Sequence, residues 1–121
     1  MINTKPTKST PLIKFESDSS TMRIEGDCYP ENSFEFFKPL FNWFRKEFPK
    51  YETFIFDINI GYMNSSTTKC MLDILDMLEE AHENGKNIQI IWKYDRENDR
   101  AMDLAEEFKE DVEMPFEIRP I

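Results

Sequence analysis

Five consecutive side chains, Asn64, Ser65, Ser66, Thr67 and Thr68, can each cap a helix, and four of them carry a hydroxyl that a kinase can use. One cap is enough to begin satisfying the orphan amides of a helix start. The run therefore reads in two ways: as capping redundancy in a strand-to-helix turn, or as a hydroxyl presented for phosphorylation. In the second reading the phosphate sits at the positive end of a helix dipole, where oriented amides already favour an anion.

Other chemistry finds little footing. His82 is the only histidine, which leaves no two-histidine metal site, and its Ala-His-Glu context reads as the solvated side of a helix. With 3 glycines in the chain, no glycine-rich loop of the phosphate-cradling kind can be built. Ser65 and Ser66 lack the Gly-x-Ser-x-Gly frame of an activated nucleophile. Asp57, Asp73 and Asp76 offer carboxylates for a divalent cation in a metal-dependent enzyme. The same spacing of Asp73 and Asp76 beside Glu79 and Glu80 makes a solvated acidic helix face, which is the preferred reading. No catalytic residue, cofactor or metal site is expected, and the chain reads as a non-enzyme.

The totals narrow the partners. A net charge of −9, from 24 acidic against 15 basic residues, argues against nucleic acid or an anionic membrane surface as partner, since both require a basic patch. No apolar run approaches the roughly 20 residues that span a bilayer. Cys28 and Cys70 sit in no metal-binding spacing and read as free buried thiols of a cytoplasmic protein.

The hydroxyl run needs elements to position it. Before it, Phe54, Phe56, Ile58 and Ile60 alternate with Ile55, Asp57 and Asn59, the period of a strand. An acidic residue there requires either water or a partner. After it, Met71, Ile74, Leu75 and Leu78 recur at i, i+3, i+4 and i+7, the stripe of a helix over residues 65–84, with Gly85 as its C′ residue. Upstream, residues 1–9 form a loose polar tail, and residues 11–25 a β-hairpin turning at Ser17 to Ser20. Residues 26–33 make a turn expected beside the hydroxyl run, leading into a first helix capped by Asn32 or Ser33 and ending near Glu47. That helix carries one stripe of Phe34, Phe37, Phe41, Phe44 and Phe48 and another of Phe36, Leu40 and Trp43, with a kink predicted at Pro39. Downstream come a strand over residues 87–94, a helix beginning in residues 95–99 with Ala101, Leu104, Ala105 and Phe108 inward, and a strand over 115–121. The order β-β-α-β-α-β-α-β predicts one α/β domain over residues 10–121, a mixed, mostly parallel sheet flanked by helices. Such sheets place their sites at the carboxyl ends of strands, where the hydroxyl turn falls.

Several stretches resemble the SiaC family of bacterial regulatory phosphoproteins, from Thr10 to the C-terminus. They are Gly26-Asp27-x-Tyr29-Pro30-Glu31-Asn32-Ser33, Met63-Asn64-Ser65-Ser66, Met71-Leu72-Asp73-Ile74-Leu75-Asp76, Tyr94-Asp95-Arg96 and Leu104-Ala105-Glu106-Glu107-Phe108. The first of these, together with the Asp-Ile-Leu-Asp helix, is the specific pair. The resemblance implies a STAS-like domain of the anti-anti-sigma-factor type acting as a switch. A Ser/Thr protein kinase phosphorylates the start of the second helix, and a metal-dependent Ser/Thr phosphatase reverses it. The unphosphorylated form binds and activates a diguanylate cyclase, raising cyclic-di-GMP and promoting biofilm or aggregation. The family's acceptor follows an Asn, which carries over to Ser65, a Ser where the best-known member has Thr. Ser66 is the runner-up, because distant anti-sigma antagonists use the second hydroxyl of such a pair. The implied partner surface comprises Tyr29, Pro30, Glu31, Asn32, Asn64, Ser65, Ser66, Lys69 and Asp73. The alternative is an interaction module that uses the aromatic face of the first helix without a phospho-switch.

Overall fold

The structure, a computed structural model, describes residues 2–121. Its elements run β1 (Asn3–Thr4), β2 (Leu12–Glu16), β3 (Thr21–Glu25), α1 (Ser33–Lys46), a 3-10 turn (Phe48–Lys50), β4 (Thr53–Asn59), α2 (Ser65–Glu83), β5 (Asn87–Tyr94), α3 (Asp99–Glu110) and β6 (Phe116–Pro120). Six strands lie side by side in chain order. β1, β2 and β3 pair antiparallel, and β3, β4, β5 and β6 pair parallel. The chain is thus a single α/β domain with a mixed sheet and three helices.

Each parallel crossover steps to the next strand in the same direction, so right-handed connections bring all three helices to one face. Alternation does the rest. Phe54, Phe56 and Ile58 of β4 and Ile88, Ile90 and Trp92 of β5 are buried on the helix side. There, Trp43 of α1 lies 4.5 Å from Phe15 and 5.8 Å from Phe54, ring centre to ring centre, and Phe108 of α3 stacks on Trp92 at 4.8 Å. The opposite face is left to water and is mostly polar, with Lys14, Arg23, Asp57 and Lys93 half-exposed along neighbouring strands beside Leu12, Ile55 and Ile91. Asp57, the acid on a central strand, belongs to this face, and Lys93 Nζ meets its Oδ2 at 3.1 Å.

The helix ends follow local chemistry. Asn64 caps α2, and Gly85 at φ +95° closes it, its amide bonding His82 O while Lys86 N bonds Ala81 O. Asn98, not an earlier residue, caps α3, because Asp95 Oδ1 accepts Glu97 N at 3.0 Å and holds the chain in a turn first.

Three expectations are corrected. The tail over residues 1–9 is not loose throughout. Asn3 and Thr4 pair with Lys14 and Ile13, Phe15 N donates to Ile2 O at 3.2 Å, and Ile2 is buried. β2 would otherwise present an open edge, and one apolar side chain in a polar segment is enough to anchor the strand that covers it. Of the two outcomes predicted at Pro39, a kink or a first turn split off, the split does not occur: α1 runs unbroken from Ser33 to Lys46, and the proline ring lies on its exposed side. The aromatic stripe is also narrower than predicted. Phe37, Leu40, Trp43 and Phe44 are buried, while Phe34 is 47 % exposed, since successive residues advance by about 100° and leave Phe34 past the margin of the buried arc. Cys28 and Cys70 are free and buried. Among the described residues, no helix is long and apolar enough to cross a membrane.

Candidate functional site

The loops that follow β3 and β4 are zipped together. Gly26 takes φ +124°, where a Cβ would also press to 3.3 Å from Pro11 Cα, and its amide donates to Asn59 O at 3.0 Å. Beyond it Cys28 bridges Met63 in parallel, with Cys28 N on Tyr62 O at 2.8 Å and Asn64 N on Cys28 O at 3.2 Å. Asp27 Oδ1 accepts Tyr62 N at 3.1 Å and sits close over Gly61, where a Cβ would stand 2.9 Å from that oxygen. Because the loops are joined, the helices they lead into, α1 and α2, begin side by side.

Both helices start with the same device. Asn32 Oδ1 accepts Glu35 N at 3.1 Å, and Asn64 Oδ1 accepts Thr67 N at 2.9 Å. Asn64 also ties the two starts together, because its Nδ2 donates to Pro30 O at 3.0 Å.

Beneath the caps lies a network of hydroxyls. Ser33, fully buried, places Oγ 2.8 Å from Ser66 Oγ and 2.9 Å from Thr67 Oγ1, and at 3.3 Å from Asn64 Oδ1. Thr67 Oγ1 donates to Cys28 Sγ at 3.4 Å. Burial pushes that thiol up to about 11, so the sulfur stays neutral and can accept. Ser66 Oγ donates to Asn64 Oδ1 at 3.2 Å, and Thr68 Oγ1 to Asn64 O at 3.2 Å. Three of the four hydroxyls are thereby engaged. Ser65, the first residue of α2, is exposed and its hydroxyl has no partner among the described residues.

Exposed apolar side chains accompany Ser65 at this end of the molecule. Of the four large apolar side chains that are exposed among the described residues, three lie at this end: Phe34 at the start of α1, Tyr62 in the loop before Ser65, and Leu72 two turns into α2. Lys69 Nζ lies 5.7 Å from the centre of the Phe34 ring, and the Tyr29 ring meets Tyr62 edge-on at 5.8 Å. Ser65, Lys69, Leu72 and Asp73 share one exposed helix face at i, i+4, i+7 and i+8. The fold therefore gathers Tyr29, Pro30, Asn32, Asn64, Ser65, Ser66 and Lys69 at one end of the molecule, with Glu31 exposed in the same turn and Asp73 one turn farther along α2. Sequence reasoning missed Ser33, Phe34, Tyr62 and Leu72 as parts of this site. Leu72 alone was open to it, since it falls outside the buried stripe of α2.

The carboxylate alternative does not assemble. Asp57 lies on the open face of the sheet, whereas Asp73 and Asp76 are exposed on a helix across the other face. Among the described residues no group of three metal-ligating side chains comes together. Glu79 is committed to structure, its carboxylate accepting Glu113 N at 2.6 Å and Met114 N at 3.0 Å. His82 is half-buried rather than fully solvated.

The model of the SiaC family regulatory phosphoproteins matches residues 4–121. An uncharacterized protein of Pseudomonas aeruginosa strain UCBPP-PA14 is 41% identical over 114 residues, covering 93% of this chain and 90% of that protein. The crystal structure of apo-SiaC from Pseudomonas aeruginosa superimposes with a TM-score of 0.91 at 39% identity, covering 98% of this chain and 97% of that one. A chain in the crystal structure of the diguanylate cyclase SiaD in complex with its activator SiaC, from the same organism, gives a TM-score of 0.94 at 38% identity, with 100% of each chain covered. With the family model spanning nearly every residue and the same fold in close relatives, this chain belongs to the SiaC family of regulatory phosphoproteins.

Proposed function

We propose that this protein is a non-enzymatic phospho-switch of a partner-switching pathway, whose unphosphorylated form binds and activates a diguanylate cyclase. The observation that carries the proposal is the state of Ser65: an exposed hydroxyl without a partner among the described residues, at the first position of α2, on the end of the molecule that also exposes Phe34, Tyr62 and Leu72. The relative whose structure was solved in complex is the activator of a diguanylate cyclase, and the exposed apolar patch is the kind of surface that a protein partner covers. A Ser/Thr kinase adds the phosphate to Ser65 and a metal-dependent Ser/Thr phosphatase removes it.

The mechanism is local. A phosphate brings a charge of about −1.5 to −2 at pH 7. The domain tolerates it, because Ser65 opens α2 and a helix N-terminus favours an anion by roughly 0.3–1 kcal/mol. Lys69, one turn along the same face, adds a cation. A docked partner must instead strip water from that charge against an apolar patch, which costs several kcal/mol for an unpaired ion, and about 1.4 kcal/mol is tenfold in affinity. One phosphate thus releases the partner without refolding the domain.

The test is calorimetric affinity for the diguanylate cyclase of the same host, measured on unmodified protein, Ser65→Ala, and protein phosphorylated by its kinase. The first two should bind alike and the third roughly 100-fold more weakly, as expected from a loss of about 3 kcal/mol. Ser65→Asp should fall between, carrying one charge instead of nearly two. A phosphorylated form that binds as tightly as the unmodified one refutes charge exclusion. Full phosphorylation of Ser65→Ala refutes the choice of acceptor.

A further inference from the structure

We infer that Ser33 selects the phosphoacceptor: by bonding the neighbouring hydroxyls of α2, it withholds Ser66 from the kinase and leaves Ser65 as the hydroxyl that reacts. This rests on the reading of the α2 start as the phosphorylated segment and adds a specificity-determining residue on a different element. Ser66 is only half-buried, so cover alone does not hide it from an enzyme. What restrains it is bonding, to Ser33 Oγ at 2.8 Å and Asn64 Oδ1 at 3.2 Å.

The proton count gives Ser66 one bond of each kind. Its own proton goes to Asn64 Oδ1 at 3.2 Å, so its oxygen is left to accept from Ser33 Oγ at 2.8 Å. Thr67 Oγ1 gives its proton to the buried neutral thiol of Cys28 and so does not compete with Ser66 for Asn64. In the transfer, the seryl oxygen forms a bond to the γ-phosphorus of the kinase's ATP. The bond from that phosphorus to the β,γ-bridging oxygen breaks, ADP leaves with the electron pair, and the hydroxyl proton passes to the kinase's carboxylate base. Ser66 can enter this step only after turning its oxygen out and breaking its bonds. Two hydrogen bonds lost together reduce the reactive population roughly tenfold to hundredfold. Ser65 has no such bond to break.

Ser33 is a positioning residue, and the readout that distinguishes it from a structural one is the location of the phosphate. Full-length protein is incubated with its kinase and ATP, and site occupancy is read by mass spectrometry for wild type, Ser65→Ala, and Ser65→Ala combined with Ser33→Ala. Wild type should carry phosphate on Ser65, with at least about tenfold less on Ser66. Ser65→Ala should take up almost none, and the double variant should recover incorporation on Ser66. Ser33→Cys, which keeps the shape but donates weakly, should give an intermediate recovery and serves in place of the alanine variant should that one unfold. Ser66 phosphorylated in Ser65→Ala alone to the same extent as in the double variant overturns the inference, as does a folded double variant that stays unmodified. Wild type unmodified at every hydroxyl overturns the switch and the selection together, whereas phosphate on Ser65 without recovery on Ser66 overturns the selection alone.

Discussion

Asn64 is where the caps, the hydroxyl network and the loop–loop junction meet, so its replacement has a calculable cost. Asn64→Ala removes the acceptor for Thr67 N at 2.9 Å, a buried residue's amide, and the donor to Pro30 O at 3.0 Å. Losing an N-cap costs about 1 kcal/mol, within a range of 0.5–2, and losing a side-chain to backbone bond costs about 1 kcal/mol more. The longer contacts to Ser33 and Ser66 add little, because those hydroxyls keep each other at 2.8 Å. The expected loss is about 2–3 kcal/mol. Asn64→Asp keeps an oxygen for Thr67 N and gains from the helix dipole, but sets a carboxylate oxygen against Pro30 O, so it should cost only about 1 kcal/mol. Urea unfolding followed by tryptophan fluorescence reads both, since Trp43 and Trp92 are buried in the native state. With a slope of roughly 1–3 kcal/mol per molar urea, the alanine variant's midpoint should fall by about 1 M and the aspartate variant's by less than half as much. An alanine variant within about 0.5 kcal/mol of wild type, or an aspartate variant equally impaired, would refute this account of the junction.

Two further outcomes follow from the same geometry. Gly61→Ala should destabilise by no more than about 1 kcal/mol, because the atom its Cβ meets at 2.9 Å is the end of the exposed Asp27 side chain, which can turn away at the loss of its bond to Tyr62 N; a loss of about 3 kcal/mol or more in the same unfolding assay would show that the loop cannot yield. Phe34→Ala and Leu72→Ala, both at exposed positions, should leave stability within about 0.5 kcal/mol yet weaken binding of the diguanylate cyclase roughly tenfold or more each, and unchanged calorimetric affinity for both would remove the patch from the partner surface.

Where the physics is local, the sequence was enough. The strand over Asn87–Tyr94 and the start of α2 at Ser65 fall where alternation and capping chemistry put them, and Gly85 ends α2 as its freedom at positive φ requires. The turn's chemistry was equally legible as a run of five possible caps, because a cap bonds only two or three residues along the chain; the structure shows that Asn64 is the one that serves. Non-local pairing was not legible. β1 exists because β2 has an edge to cover and Ile2 a core to enter, and neither fact is written in a polar segment. How wide an arc of α1 the core buries, and so that Phe34 falls outside it while Phe37 falls inside, is decided by the surfaces α1 packs on. Above all, Ser65, Ser66, Thr67 and Thr68 are near-equivalents in the sequence. Only the fold separates them, by bringing Ser33 from 33 residues away to bond Ser66 and from 34 to bond Thr67, and leaving Ser65 facing water. A hydrogen bond is decided within about 3 Å, and that proximity belongs to the packing of two helices rather than to the order of residues in either.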